Sequence, residues 1–211
     1  MAHARRVVTV GAAAAAALAM MVPPASASTT ISVYPSGTPY SGGVKAELLG
    51  TATITSSLGS ATCNESVMNG TINSDGSNLT ITSASFSNSG GNCTGIISSA
   101  ITTENLPWTG GNATYNPVAG GRDGTVTIAN FRAKATLILG ITCTYGGNLT
   151  ANAYNPNNPN RPVPGVNEAQ VSVSGATINK VSGGILCPSS ATVSATYKLT
   201  TSSGQSLQMG S

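Results

Sequence analysis

Histidine is missing from everything beyond the N-terminal segment of this sequence: the single one is His3. Ser-His-Asp and Cys-His catalysis both need an imidazole as base, so neither is open to residues 28–211. Charge is almost as scarce. Lys, Arg, Asp and Glu make up 7% of the chain, against about 25% in an average globular protein. Seven cations (Lys45, Arg122, Arg132, Lys134, Arg161, Lys180, Lys198) stand against six acids (Glu47, Glu65, Asp75, Glu104, Asp123, Glu168) after residue 27. The whole-chain pI near 8.8 therefore owes part of its height to Arg5 and Arg6. No basic stretch is long enough to form a nucleic-acid footprint. Gly-x-Ser-x-Gly, Ser-x-x-Lys, the phosphate-binding loop and the dinucleotide fingerprint are all absent. The remaining enzymatic route is a carboxylate pair, as in glycoside hydrolysis, and nothing in the sequence brings two of the six acids together. No catalytic residue, metal site or cofactor is assigned, and the expectation is that the protein is not an enzyme.

Long apolar runs are also lacking, with one exception at the start. Met1–Ala27 has Arg5 and Arg6, then the alanine-dominated run Val7–Val22, then Ala25-Ser26-Ala27. That is the layout of an export signal cut after Ala27. The arginine pair suits an ordinary positive n-region and a twin-arginine signal alike. No later stretch is apolar enough over enough residues to cross a bilayer as a helix. Residues 28–211 are expected to form one domain that is secreted, extracellular or at the cell surface, with no transmembrane segment.

What that domain does contain is Val, Ile and Thr at period two, punctuated by Gly, Asn and Pro. Period two marks half-buried strands, and punctuation this frequent marks many short antiparallel ones. No window shows a capped helical stripe. The expected fold is all-β, an antiparallel sandwich or barrel-like domain. Thr30–Val33 opens it. Asn73–Asn78, with Asp75-Gly76 at its centre, reads as a hairpin turn rather than a calcium loop, which needs more acids. Pro107 in Leu106-Pro107-Trp108 must sit at an edge, a strand start or a bulge.

One pattern occurs twice. Leu79 and Ile81 alternate, then Ala84 and Phe86 continue after a step of three; Val171, Val173, Ala176 and Ile178 repeat this. A step of three turns the apolar face outward unless a β-bulge restores it, which places bulges at Ser83 and Gly175. Both stretches lead to a Gly-Gly pair and a cysteine, Cys93 and Cys187. Leu58-Gly59 before Cys63 is likewise echoed by Leu139-Gly140 before Cys143. The chain thus reads as two related halves, about 44–116 and 125–202, sharing one fused core. Four cysteines allow three pairings. The repeat selects Cys63–Cys93 and Cys143–Cys187, each inside its half, and export favours their oxidation. Their wide spacing does not match a zinc site. The second half has one extra segment, the proline-rich Asn155–Val166, expected to be an exposed and deletable loop. The polar tail Ser202–Ser211 is expected to fray unless it adds an edge strand.

In the order of its motifs the chain resembles a group of small exported actinobacterial proteins of uncharacterised role. The shared features are a Thr-Cys strand, the kinked strand into Gly-Gly and Cys, Leu106-Pro107-Trp108, Cys143-Thr144-Tyr145 and the final Ala195–Thr200. The resemblance implies secretion and a disulfide-bonded all-β fold, and brings no catalytic residue with it.

Two non-enzymatic roles follow. One is a structural or interaction protein whose partner is another surface protein. The other is a module for a cell-wall glycan or a small apolar ligand, with Trp108, Tyr115 and Tyr145 as candidate contacts. Trp108 is the discriminating residue: a sugar platform needs its ring exposed beside a tyrosine, whereas a large ring in an aromatic-poor chain contributes most to stability when buried.

Overall fold

The computed structural model describes residues 28–95, 100–137 and 140–211; Met1–Ala27, where the export signal is expected, and Leu139 lie outside them. Its centre is a closed antiparallel barrel of eight strands. The first half supplies β3 (Gly42–Ser56), β5 (Glu65–Ile72), β6 (Leu79–Ser87) and β9 (Trp108–Tyr115). The second supplies β10 (Gly124–Thr136), β11 (Thr142–Tyr154), β12 (Ala169–Gly183) and β13 (Ser190–Thr201). Neighbours run β3-β5-β6-β9-β10-β11-β12-β13, and β13 pairs back onto β3 to close the ring. Of the two expected architectures, sandwich and barrel, the molecule adopts the barrel. Closure removes the free sheet edges that an open sheet would expose.

Shorter strands complete the wall. β4 (Gly59–Cys63) forms a hairpin with β3, and β7 (Thr94–Gly95) pairs with β4. β8 (Ile101–Thr103) lies on the upper part of β10, while β9 covers its lower part. Pro107 stands just before Trp108, the first residue of β9, so the proline sits at a strand start, where its missing N–H breaks no ladder. A separate sheet of β1 (Thr30–Val33), β2 (Thr38–Pro39) and β14 (Leu207–Gly210) lies at the other end of the barrel. The C-terminal tail therefore joins an edge instead of fraying, with Leu207 buried as its anchor.

The bulges fall inside the steps of three that require them, the first one residue earlier than Ser83. Asn69 pairs with Ser83 and Gly70 with Ile81, leaving Thr82 as the extra residue. On β12, Val173 pairs with Ala195 and Ala176 with Val193, so Ser174 and Gly175 share one opposing residue. Gly175 takes φ +63° there, a conformation that glycine adopts without a Cβ clash. A third break on β10 separates Ile128 from Phe131 and holds Asn130 at φ +57°. Each bulge keeps the apolar face pointing inward while bending the strand around the barrel. Both disulfides are the ones selected by the repeat: Cys63–Cys93, and Cys143–Cys187.

The proline-rich segment corrects an expectation. It connects β11 to β12, but it is stitched down. Gln170, fully buried, donates through Nε2 to the carbonyls of Val163 and Val166 and accepts from the Val163 N–H. Asn158, also buried, donates to Asp123 Oδ2 at 2.8 Å and to the Gly121 carbonyl. Asn155 exchanges two hydrogen bonds with Met209, tying the loop to the end sheet.

Candidate functional site: the barrel lumen

Inward positions on all eight strands are apolar or small. Outward positions are mostly polar: along β13 they are Ser190, Thr192, Ser194, Thr196, Lys198 and Thr200, between the inward Ala191, Val193, Ala195, Tyr197 and Leu199. This is the reverse of a transmembrane barrel, which carries its apolar band outside. Among the described residues no helix is long and apolar enough to cross a membrane.

Because many inward residues are alanine, valine or serine, the walls do not meet across the axis. They leave two adjoining chambers. The mouth chamber, about 110 Å³, is lined by Ile54, Phe86, Leu137, Val173 and Val193 among others, with no charged residue among the described ones. It reaches solvent at Leu58, a lining residue that is 47% exposed. The cap chamber, about 90 Å³, lies under the end sheet, against Ile31, Leu207 and Met209. Lys45 touches its rim, but its ammonium pairs with Glu47 at 2.8 Å. Met68, Val126, Ile128 and Val171 line both chambers.

The polar atoms of the lumen are satisfied by the protein itself. Tyr197 donates its hydroxyl to Ser66 Oγ, and Tyr145 donates its own to the Pro188 carbonyl. Burial pushes both phenols above the ordinary tyrosine range, with the Ser66 bond opposing the shift at Tyr197. Neither is poised as an acid or base near neutral pH. Among the described residues no group of three or more His, Cys, Asp or Glu side chains converges as a metal site would need.

The residues singled out from sequence are not brought together. Trp108 is 1% exposed, packs its ring on Phe131 at 4.9 Å between centroids, and donates its indole N–H to the Glu104 carbonyl. It backs the lumen wall and offers no face for a sugar to stack on. Tyr145 faces the mouth chamber, whereas Tyr115 ends β9 at the far end of the barrel. The four cysteines sit in two bonded pairs near the mouth and leave no free thiol. The lining itself, above all Val126, Ile128, Val173 and Val193, is recorded in the sequence only as strand alternation. Alternation says which side chains point inward, not whether the opposite wall reaches them.

One family model, alkane oxidation protein activator PraA/PraB-like, matches residues 4–203. The chain belongs to this family. The match names PraA/PraB-like proteins rather than the actinobacterial group that the motif order resembles, and the disulfide-bonded all-β barrel is what the chain displays as a member. No curated protein and no solved structure matches the chain.

Proposed function

We propose that this protein is a non-enzymatic, exported binding module that holds a small apolar molecule in its barrel lumen. The observation that carries the proposal is the pair of chambers lined by apolar side chains, reached past Leu58, with its tyrosine hydroxyls already paired inside the protein. Such a space excludes charged solutes, because an ion taken out of water without a partner is costly to bury. It suits a hydrocarbon. The family's description speaks of alkane oxidation and of an activator, and a lumen that takes up an alkane from water fits a helper of that process better than a catalyst of it. Export enters through the layout of Met1–Ala27. The test is displacement of an environment-sensitive apolar dye from the purified protein by liquid alkanes. Wild type should bind and release the dye, and Val193→Trp, which fills the mouth chamber, should not bind it. Equal dye binding by both proteins refutes lumen binding.

A surface-interaction role has its own support. Around the mouth Val181, Ile185 and Leu186 are 45%, 99% and 62% exposed. An exposed aliphatic cluster of this kind commonly marks a contact site. Replacing Ile185 and Leu186 by serine should lower retention on an alkyl-coated surface without changing dye binding; unchanged retention rules the contact role out.

A further inference from the structure

We infer that Met68 is a movable gate between the two chambers, which makes the lumen one continuous site for unbranched, uncharged chains and a half-length site for branched ones. This deepens the lumen proposal and rests on it.

Met68 lies on β5, three strands from β10 and three from β12 around the ring of eight. Its side chain therefore reaches the wall facing its own. There it shares the boundary between chambers with Val126 and Ile128 of β10 and Val171 of β12. The two sides of this constriction differ in stiffness. Val and Ile are β-branched and hold one χ1 rotamer strongly. Methionine is unbranched, with three rotatable bonds beyond Cα. Met68 also stands alone on its wall. Its cross-strand neighbours are Ala46 on β3 and Ala84 on β6, and its same-face neighbours on β5 are Ser66 and Gly70. The Thr80 backbone fills the place of a side chain at Gly70, but the short Ala46, Ala84 and Ser66 leave the thioether room to swing aside. A chain one methylene wide can follow it through. A methyl branch or ring meets the fixed valine and isoleucine side and stays in the mouth chamber. Among the described residues no cation faces the mouth chamber and Lys45 is engaged by Glu47, so these residues offer no counter-charge to a carboxylate head group.

The experiment is dye displacement by a homologous series of unbranched alkanes, each beside a methyl-branched and a cyclic isomer, on wild type, Met68→Leu, Met68→Ala and Met68→Phe. Every methylene that finds a place inside raises affinity about fourfold. In wild type the rise should continue to a chain length that fills both chambers, and Met68→Leu should keep most of it. In Met68→Phe, where a rigid ring replaces the thioether, the rise should stop at a shorter chain. In Met68→Ala the branched isomers should gain on the unbranched ones. Met68→Phe and Met68→Leu decide the matter if the alanine variant does not fold. Binding of short chains with the same plateau in wild type and Met68→Phe overturns the gate alone. No binding of any chain by wild type overturns the lumen site, and the gate with it.

Discussion

At the scale of single residues the molecule leans on a few large side chains, because alanine occupies many of its other buried positions. Trp108 is the largest of them. Truncating it removes the Phe131 contact and leaves the Glu104 carbonyl without its donor. Trp108→Ala should destabilise by about 3–5 kcal/mol, the usual range for a buried aromatic. Trp108→Phe, which loses the N–H but keeps a ring, should cost less; urea melts of both variants check this order. Charge acts through the same scarcity. Glu47 is held between Lys45 at 2.8 Å and Lys198 at 3.1 Å, and these partners lower its carboxyl pKa. Asp75 and Glu65 are lowered too, by hydrogen bonds from Ser77 in the one case and from Ser87 and Gly90 in the other. A carboxylate depressed on folding adds stability above its unfolded value, here near 4.5 for Glu47, and loses it as pH falls through the folded value. The melting temperature should therefore be flat from neutral pH down to about 5 and fall below about 4. Glu47→Gln should shallow that acid limb. A decline beginning at pH 6 would point to a different titrating group, which a domain without histidine does not provide.

Elements show where pattern was sufficient and where it was not. The strands and both bulges of the repeated motif were legible, because the step of three from Ile81 to Ala84 and from Val173 to Ala176 has no flat-strand solution. Pro107 was legible as a strand start, since a missing N–H forbids a central position. Asn155–Val166 was not legible. Its prolines exclude a strand, but nothing local says that Gln170, fourteen residues past Pro156, turns its amide onto the loop. That contact sets a prediction. Trimming residues 156–165 to a short turn changes closure entropy by only about 1 kcal/mol. It also strips a fully buried amide of its two hydrogen bonds with Val163, and an unsatisfied buried polar group costs about 1–3 kcal/mol. The shorter loop is cheaper to close, which offsets part of that cost, so the trimmed protein should lose about 1–2 kcal/mol, and adding Gln170→Leu to it should recover part of the loss. A trimmed protein as stable as wild type in guanidinium melts would show the loop to be dispensable.

For the whole molecule the decisive contact is β13 on β3, the last barrel strand on the first. It makes neither half complete. Residues 42–115 alone would expose the free edges of β3 and β9, and with them the inward face that the other half covers. The lumen was illegible for a related reason: its width depends on how many strands close and how they stagger, and no stretch of sequence carries that. The two disulfides staple matching corners of the two halves, spanning 30 and 44 residues. Chain-entropy reasoning gives about 3.5–4 kcal/mol for each, and the loops do not overlap, so the effects should add. Replacing Cys63 and Cys93 by alanine should thus destabilise about as much as replacing Cys143 and Cys187, by about 3–4 kcal/mol in either case. Because the halves share one closed wall, each variant should still unfold in a single step. Trp108 fluorescence reports the packing of β9 against Phe131 of β10 and far-UV circular dichroism reports every strand, so their urea transitions should coincide in wild type and in both variants. Transitions that separate, with Trp108 released early when Cys63–Cys93 is removed and late when Cys143–Cys187 is removed, would mean that each half holds itself together and that closure of β13 on β3 adds little.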